Sequence, residues 1–385
     1  MRFLFASDSF KGSLSSEKTT ELLSKAAHEI FGDCETAGVP VADGGEGTVD
    51  AVIAAEHGEK ITVPVHGPLS GEIIHADYGV LPGERAVIEM AAASGLPLVP
   101  TEKRNPLYTT TYGTGELILD ALSRGYRDIS IAIGGSATND GGMGCAKALG
   151  VKFLDAQGRE LDGYGQDLIR VARIDISGLD ARIRESAITV MCDVTNPLCG
   201  EHGATYTFGA QKGATPEIQK ELESGMCNYR NIIKHDFGID CDQVKGAGAA
   251  GGLGAALKVF FNGEMKSGIE TVLKLIHFDR RLDGVDLVVT GEGRTDWQSC
   301  FGKVMQGVGL HAKARGIPAV GLSGSLGRDA LNITGYGVES LMTTVNAPMP
   351  LQDALDNAEA LYYDGAIRMF RFIRTGMDIA AKLKN

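Results

Sequence analysis

Loops that combine glycines with carboxylates are where this chain could do chemistry. Five of them follow apolar runs: "SDSFKGSLS" (Ser7 to Ser15), "VADGGEGT" (Val41 to Thr48), "GGSATNDGGMG" (Gly134 to Gly144), "CDVTNPLCG" (Cys192 to Gly200) and "TGEGRTDWQSCFGK" (Thr290 to Lys303). Asp and Asn beside Gly are ordinary turn chemistry, so any single loop reads more readily as a turn. As a set they hold more carboxylate than turns require, and two of them add a lysine. Phosphoryl transfer calls for that inventory. It needs backbone N–H groups or cations around the donor phosphates, hard oxygen ligands for Mg²⁺, and a carboxylate near the attacking hydroxyl. Lys11, Arg294 and Lys303 supply cations, while Asp8, Asp43, Glu46, Asp193, Glu292 and Asp296 supply ligands or a base.

The elements that must position these loops follow an α/β grammar of strand, polar loop and helix. Arg2 to Ser7 reads as a buried strand, and "SSEKTTELLSKAAHEIFG" as a helix with Ser15 or Ser16 as cap, Leu22, Ala26 and Ile30 on one face, and Gly32 at its end. "VPVADGGEGTVDAVIAAEHG" repeats the scheme, its helix ended by Gly58. Near the C-terminus "VDLVVTGEGR" reads as strand and loop, "KVMQGVGLHAKARG" as helix, "IPAVGLSGSLG" as strand and loop, and "PLQDALDNAEALYYDGAIRMFRFIRTG" as one long closing helix. Between Ile61 and Met90 the short alternating runs suggest antiparallel strands. The expectation is a Rossmann-like doubly wound domain formed by both termini, residues 1–60 plus 285–385. A second α/β domain, residues 61–284, is inserted in it. Ligands of open α/β sheets lie beyond the carboxyl ends of strands, so the loops are expected to converge on an active site in the cleft between the domains.

Composition narrows the class. The chain has 385 residues, 43% of them hydrophobic and 22% charged, with no long uninterrupted apolar run, which predicts a globular protein without a membrane span. A net charge of −12 argues against nucleic acid as partner, since phosphate backbones select clustered Lys and Arg. Seven cysteines, odd in number and with no C-x-x-C pair, support neither zinc nor a disulfide framework and fit a reducing cytoplasm. Gly246 to Gly251, "GAGAAG", has the letters of a dinucleotide fingerprint. The polar stretch "IDCDQVK" precedes it where a buried strand is needed, so close packing is the preferred reading. Walker A, protein-kinase and serine-hydrolase signatures are absent.

Seven stretches in order, "DSFKGSLS", "PVADGGEGT", "GGSATNDGG", "NPLCG", "FGAQKGAT", "GAGAAGGLGAAL" and "TGEGRTD", give the chain its resemblance to the type-1 glycerate kinases of bacteria. The resemblance implies ATP- and Mg²⁺-dependent phosphorylation of D-glycerate in the cytoplasm, at the 2-hydroxyl. With the charge and the apolar pattern, the expected partner is a small-molecule substrate, with no nucleic acid and no membrane, and the expected state is a monomer or homodimer. A kinase forming 3-phosphoglycerate, or a Mg²⁺-dependent phosphatase or lyase acting on a small sugar acid, stands as the alternative. The match marks Asp8, Ser9, Lys11, Asp43, Glu46, Asn139, Asp140, Asp193, Glu292 and Asp296. The roles then expected are Lys11 on phosphate or the glycerate carboxylate, Asp193 or Asp296 as base, and Asp193, Glu292 and Asp296 as metal ligands. Asp8, Ser9, Asp43, Glu46, Asn139, Asp140, Arg294 and Lys303 are expected to bind substrate or phosphate. In "TGEGRTDWQSCFGK" the chain departs from the family form at Thr295, Trp297, Cys300 and Phe301, which puts the packing of that loop in question.

Overall fold

Phe3, Leu4 and Phe5 are all buried, as are Leu287, Val288 and Val289, so the strands that carry them are covered on both faces. The computed structural model describes residues 1–384. They divide into two compact units, Met1–Asp43 with Ile269–Asn385, and Gly44–Gly268. These bounds differ from the expected ones at both crossings. The Thr48–Glu56 helix belongs to the second unit because Val49 and Ile53 pack on Gly79 of the Ile73–Leu81 strand. Residues 269–284 belong to the first, where Glu270 and Asp279 both meet His311.

The first unit is a five-stranded parallel sheet. Its spatial order is Val338–Thr343, Ala319–Ser323, Leu287–Thr290, Arg2–Phe5, Glu35–Gly38. Numbered along the chain this is the 2-1-3-4-5 arrangement of doubly wound sheets. Its switch point falls between Arg2–Phe5 and Leu287–Thr290. Phe3, Phe5, Leu287 and Val289 pack with Leu23 and Ala27 of the Ser16–Phe31 helix and with Phe370 of the Ala358–Lys384 helix. Leu4 and Val288 alternate to the other face. Met305 of the Val304–Ala314 helix packs there with Val338.

Most of the sequence reading of this unit reappears. Ser15 caps the first helix by accepting from the Lys18 N–H, and Gly32 ends it at φ 67°. Three details differ. The strand before "VADGGEGT" is Glu35–Gly38, and the chain continues as coil in which Val39 and Val41 are buried. The edge strand Val338–Thr343 was not foreseen from "VESLMT". The closing helix is two helices, Leu351–Asp356 and Ala358–Lys384, broken at Asn357, whose side-chain amide donates back to the Asp353 carbonyl.

The second unit holds a six-stranded mixed sheet. Glu59–His66, Ile73–Leu81 and Arg85–Glu89 pair antiparallel, as the alternating runs suggested. Asp128–Ala132, Ala187–Met191 and Glu264–Lys266 then add in parallel. "GAGAAG" is a packing device. Gly251 adopts φ 65°, and a Cβ there would lie 2.0 Å from the Thr138 carbonyl oxygen. The Gly141 N–H donates to the Gly251 carbonyl at 2.9 Å, so two glycine-rich segments meet backbone to backbone.

Candidate active site

Asp8 and Glu292 stand just past the two strands that flank the switch point, where an open parallel sheet leaves its crevice. The Asp8 N–H donates to the Gly291 carbonyl at 2.9 Å and ties the two loops together. Gly291 is required by space: a Cβ there would lie 2.1 Å from the Leu322 carbonyl oxygen of the next strand. This answers why "TGEGR" spends glycine beside its acid. The glycine admits the neighbouring strand, and Glu292 turns into a cavity of about 540 Å³.

That cavity is lined by Asp8, Ser9, Lys11, Glu292, Arg294, Asp296 and Lys303, with apolar walls from Phe10, Leu14, Val345, Leu351 and Leu355. Its size falls within the range of small-molecule sites. Burial pushes the Glu292 carboxyl up to about 7; Ser299 and Thr295 hydroxyls oppose the shift, the charge of Asp8 adds to it, and Lys303 lowers it. Both hydroxyls donate to Oε1, from Ser299 at 2.5 Å and Thr295 at 3.0 Å. Asp8 is raised to about 6, first by burial and then by the Asp43 charge, against its hydrogen bond from the Ser9 N–H and the charges of Lys11 and Lys303. Lys303 Nζ lies 2.5 Å from Asp43 Oδ2. Burial disfavours its charge, but Asp43, Asp8 and Glu292 together hold its pKa above the ordinary lysine value. Asp8, Asp43 and Glu292 thus share Lys303, with Lys11 also facing Asp8, so three carboxylates outnumber two ammonium groups.

Asp8 and Glu292 fit Mg²⁺ on chemistry. Both are hard oxygen donors that line the same cavity, where burial raises each carboxyl and each adjoins a further carboxylate. Asp296 is differently engaged. Its Oδ1 accepts from the Gln298 N–H at 2.9 Å and its Oδ2 faces the Arg294 guanidinium at 3.4 Å. Arg294 is largely exposed at the cavity rim. The departures from the family form leave this cavity intact: Trp297 and Phe301 stack edge to face at 5.8 Å and line a separate hollow with Arg328 and Tyr336. Thr295 is fully buried and bridges Glu292 to the Ser323 hydroxyl.

The remaining expected residues belong to the Gly44–Gly268 unit. Asp193, after the Ala187–Met191 strand, is exposed and accepts from the Gly268 N–H at 3.0 Å. Glu46 is exposed in the loop before the Thr48–Glu56 helix. Asn139 and Asp140 are fully buried. Asn139 Nδ2 donates to the Thr205 hydroxyl at 3.2 Å, and its Oδ1 has no partner. Asp140 accepts from the Thr111 N–H and hydroxyl and from the Gly142 and Gly144 N–H groups. This full set of partners makes Asp140 a brace between the "GGSATNDGG" loop and Thr111. Asp140→Ala should therefore cost stability, about 3 kcal/mol or more, because four donors lose their acceptor. Urea unfolding of the variant checks this, and an unchanged midpoint would deny the brace.

Sequence reasoning passed over two groups in this unit. Lys212, inside "FGAQKGAT", is 2% exposed and donates from Nζ to Ser136 Oγ at 2.7 Å and the Thr138 carbonyl at 2.6 Å. Burial pushes its pKa down to about 7, against the Asp140 charge. Glu89 ends its strand at the N-terminus of the Thr48–Glu56 helix and accepts from the Val49 N–H at 2.7 Å. A lysine between glycine-flanked turns was the available signal for the first. For Glu89 there was none.

A sequence model of the glycerate kinase family matches residues 3–374. The chain belongs to the glycerate kinase family. The glycerate 2-kinase of Escherichia coli K12 is 46% identical over 383 residues, covering 99% of each protein. The glycerate kinase of Bacillus subtilis 168 is 44% identical over 385 residues, covering all of this chain and 98% of that protein. A crystal structure from Salmonella typhimurium LT2, assigned as glycerate kinase 2, superimposes with a TM-score of 0.88 at 43% identity, covering 98% of this chain and 99% of that one. The resemblance read from the seven stretches is therefore a family relationship that spans both units.

Proposed function

We propose that this chain transfers the terminal phosphoryl group of ATP to the 2-hydroxyl of D-glycerate, giving 2-phosphoglycerate and ADP, in the bacterial cytoplasm. The observation that carries the reading is the cluster of Asp8, Asp43 and Glu292 around Lys303 at the switch point of a glycerate-kinase-family chain. Supporting it, the E. coli relative is named a glycerate 2-kinase. No helix among the described residues is long and apolar enough to cross a membrane.

Mg²⁺ bound by Glu292 and Asp8 would neutralise phosphate charge as it develops. The chain's own groups do the rest. Lys303 and Lys11 hold the anionic ends of donor and acceptor, the apolar wall of Leu14, Val345 and Leu355 excludes water, and Arg294 at the rim meets phosphate oxygens. The hydroxyl proton passes to a carboxylate, for which Asp296 and Asp193 are the candidates. Replacing the true base with Asn should cut kcat by about a hundredfold or more and leave ATP binding near normal. Parallel loss of turnover and ATP binding in both Asp296→Asn and Asp193→Asn would remove the role from each. The reading as a whole is tested by glycerate-dependent ADP release from Mg-ATP.

A further inference from the structure

Far along the chain from the carboxylate cluster, the "NPLCG" turn places Cys199 against the Pro216–Phe237 helix. That helix carries Glu223, Cys227 and Arg230, spaced so that they share one face. One ligand atom from each of Cys199, Glu223 and Cys227 lies within 4.8 Å of the others. Both thiols are free. The Glu223 carboxylate is 9% exposed and half satisfied: Oε1 accepts from the Gly200 N–H at 2.6 Å and meets Cys227 Sγ at 3.6 Å, while Oε2 is buried with no partner. A carboxylate oxygen buried without a donor is costly, and a cation is the group that would relieve it.

We propose that Cys199, Glu223 and Cys227 form a binding site for one thiophilic divalent cation, of which Zn²⁺ is the best fit, separate from the kinase reading and from its Mg²⁺. Two soft thiolate sulfurs with one hard carboxylate oxygen form a mixed set that suits the borderline ion Zn²⁺ in a tetrahedral site, with a fourth position left for water. Bonds of about 2.3 Å to sulfur require the side chains to draw in from their present spacing. The half-buried Cys227 gives the ion a way in. The outer contacts of a metal site are also in place. Asp242 accepts from the Cys199 N–H at 3.0 Å and from the Arg230 guanidinium at 2.6 Å, which fixes the turn carrying the first ligand. Arg230 feels the charge of both cysteines and so offsets the net negative charge of two thiolates and a carboxylate around a dication.

Sequence spacing could not reveal this site, because its ligands come from a turn and a separate helix and form no C-x-x-C pair.

The test uses the full-length chain, reduced and stripped with a chelator, and titrated with Co²⁺ as a spectroscopic stand-in before Zn²⁺ displaces it. Expected are one equivalent of Co²⁺, a thiolate-to-cobalt charge-transfer band that Zn²⁺ abolishes, and a melting temperature raised by Zn²⁺. Cys227→Ser should lose at least half of the band and weaken Zn²⁺ binding by about a hundredfold, and Glu223→Gln should weaken it by about tenfold, both variants keeping the wild-type circular dichroism. Folded, fully reduced protein that shows no charge-transfer band overturns the proposal. So does a band of equal strength in Cys227→Ser, or a Cys199–Cys227 disulfide that forms in air at the same rate with Zn²⁺ present.

Discussion

Glu292→Gln is expected to lower kcat by about a hundredfold or more while raising the melting temperature at pH 8. The stability gain follows from the sign of the pKa shift. In the fold the Glu292 carboxyl is raised from 4.5 to about 7. Its contribution to stability is therefore full below pH 4.5 and is lost as pH rises through 7. At pH 8 the fold carries an ionised carboxylate that burial and Asp8 both disfavour, and glutamine removes that burden, with a gain of about 1–3 kcal/mol. At pH 4 to 5 the gain should vanish. Glutamine keeps an oxygen for the Ser299 and Thr295 hydroxyls, so the loop should stay in place. Mg²⁺ should stabilise the wild type above pH 7 and leave the glutamine variant almost unmoved. Kinetics with thermal melts across pH check both halves. A melting temperature that falls at every pH would make Glu292 a structural residue, and an unchanged kcat would remove it from the site.

Lys303→Ala should have the second large effect, with the opposite sign for stability. Its ammonium is the shared partner of Asp43, Asp8 and Glu292. Without it three carboxylates face one another, their pKa values climb further, and the penalty grows as pH rises from 5 to 8. The melting temperature should fall, most at pH 8. Catalytic efficiency should drop by about a thousandfold if Lys303 also meets phosphate oxygens, since a cation aimed at developing charge is worth several kcal/mol in such a cavity. Lys303→Arg should restore stability more than turnover, because it keeps the charge and changes the reach. Equal losses in the alanine and arginine variants would point to the length of the lysine as the decisive feature.

Much of this was legible in the sequence where local rules govern. Ser15 and Gly32 bound a helix by cap chemistry, and the alternation from Ile61 to Met90 folds as antiparallel strands. The five loops stood out as a set, because together they hold more carboxylate than turns require. What stayed hidden depends on contacts distant in sequence. Val338–Thr343 is a strand because Ala319–Ser323 offers an edge, not because "VESLMT" alternates strongly. The closing helix breaks at Asn357 through a side-chain bond that composition does not signal. Asp140 carries the same letter as Asp8 but spends its oxygens on four internal donors. The glycines around Lys212 mark a turn, but its burial depends on the fold.

The most direct measurement incubates the purified chain with Mg-ATP and D-glycerate, follows ADP release, and reads the product by phosphorus NMR. The account predicts ADP in step with a single 2-phosphoglycerate signal, both forming about a hundredfold or more slowly in Glu292→Gln. A 3-phosphoglycerate signal would contradict the regiochemistry, and no ADP above a glycerate-free control, from folded protein, would contradict the kinase itself.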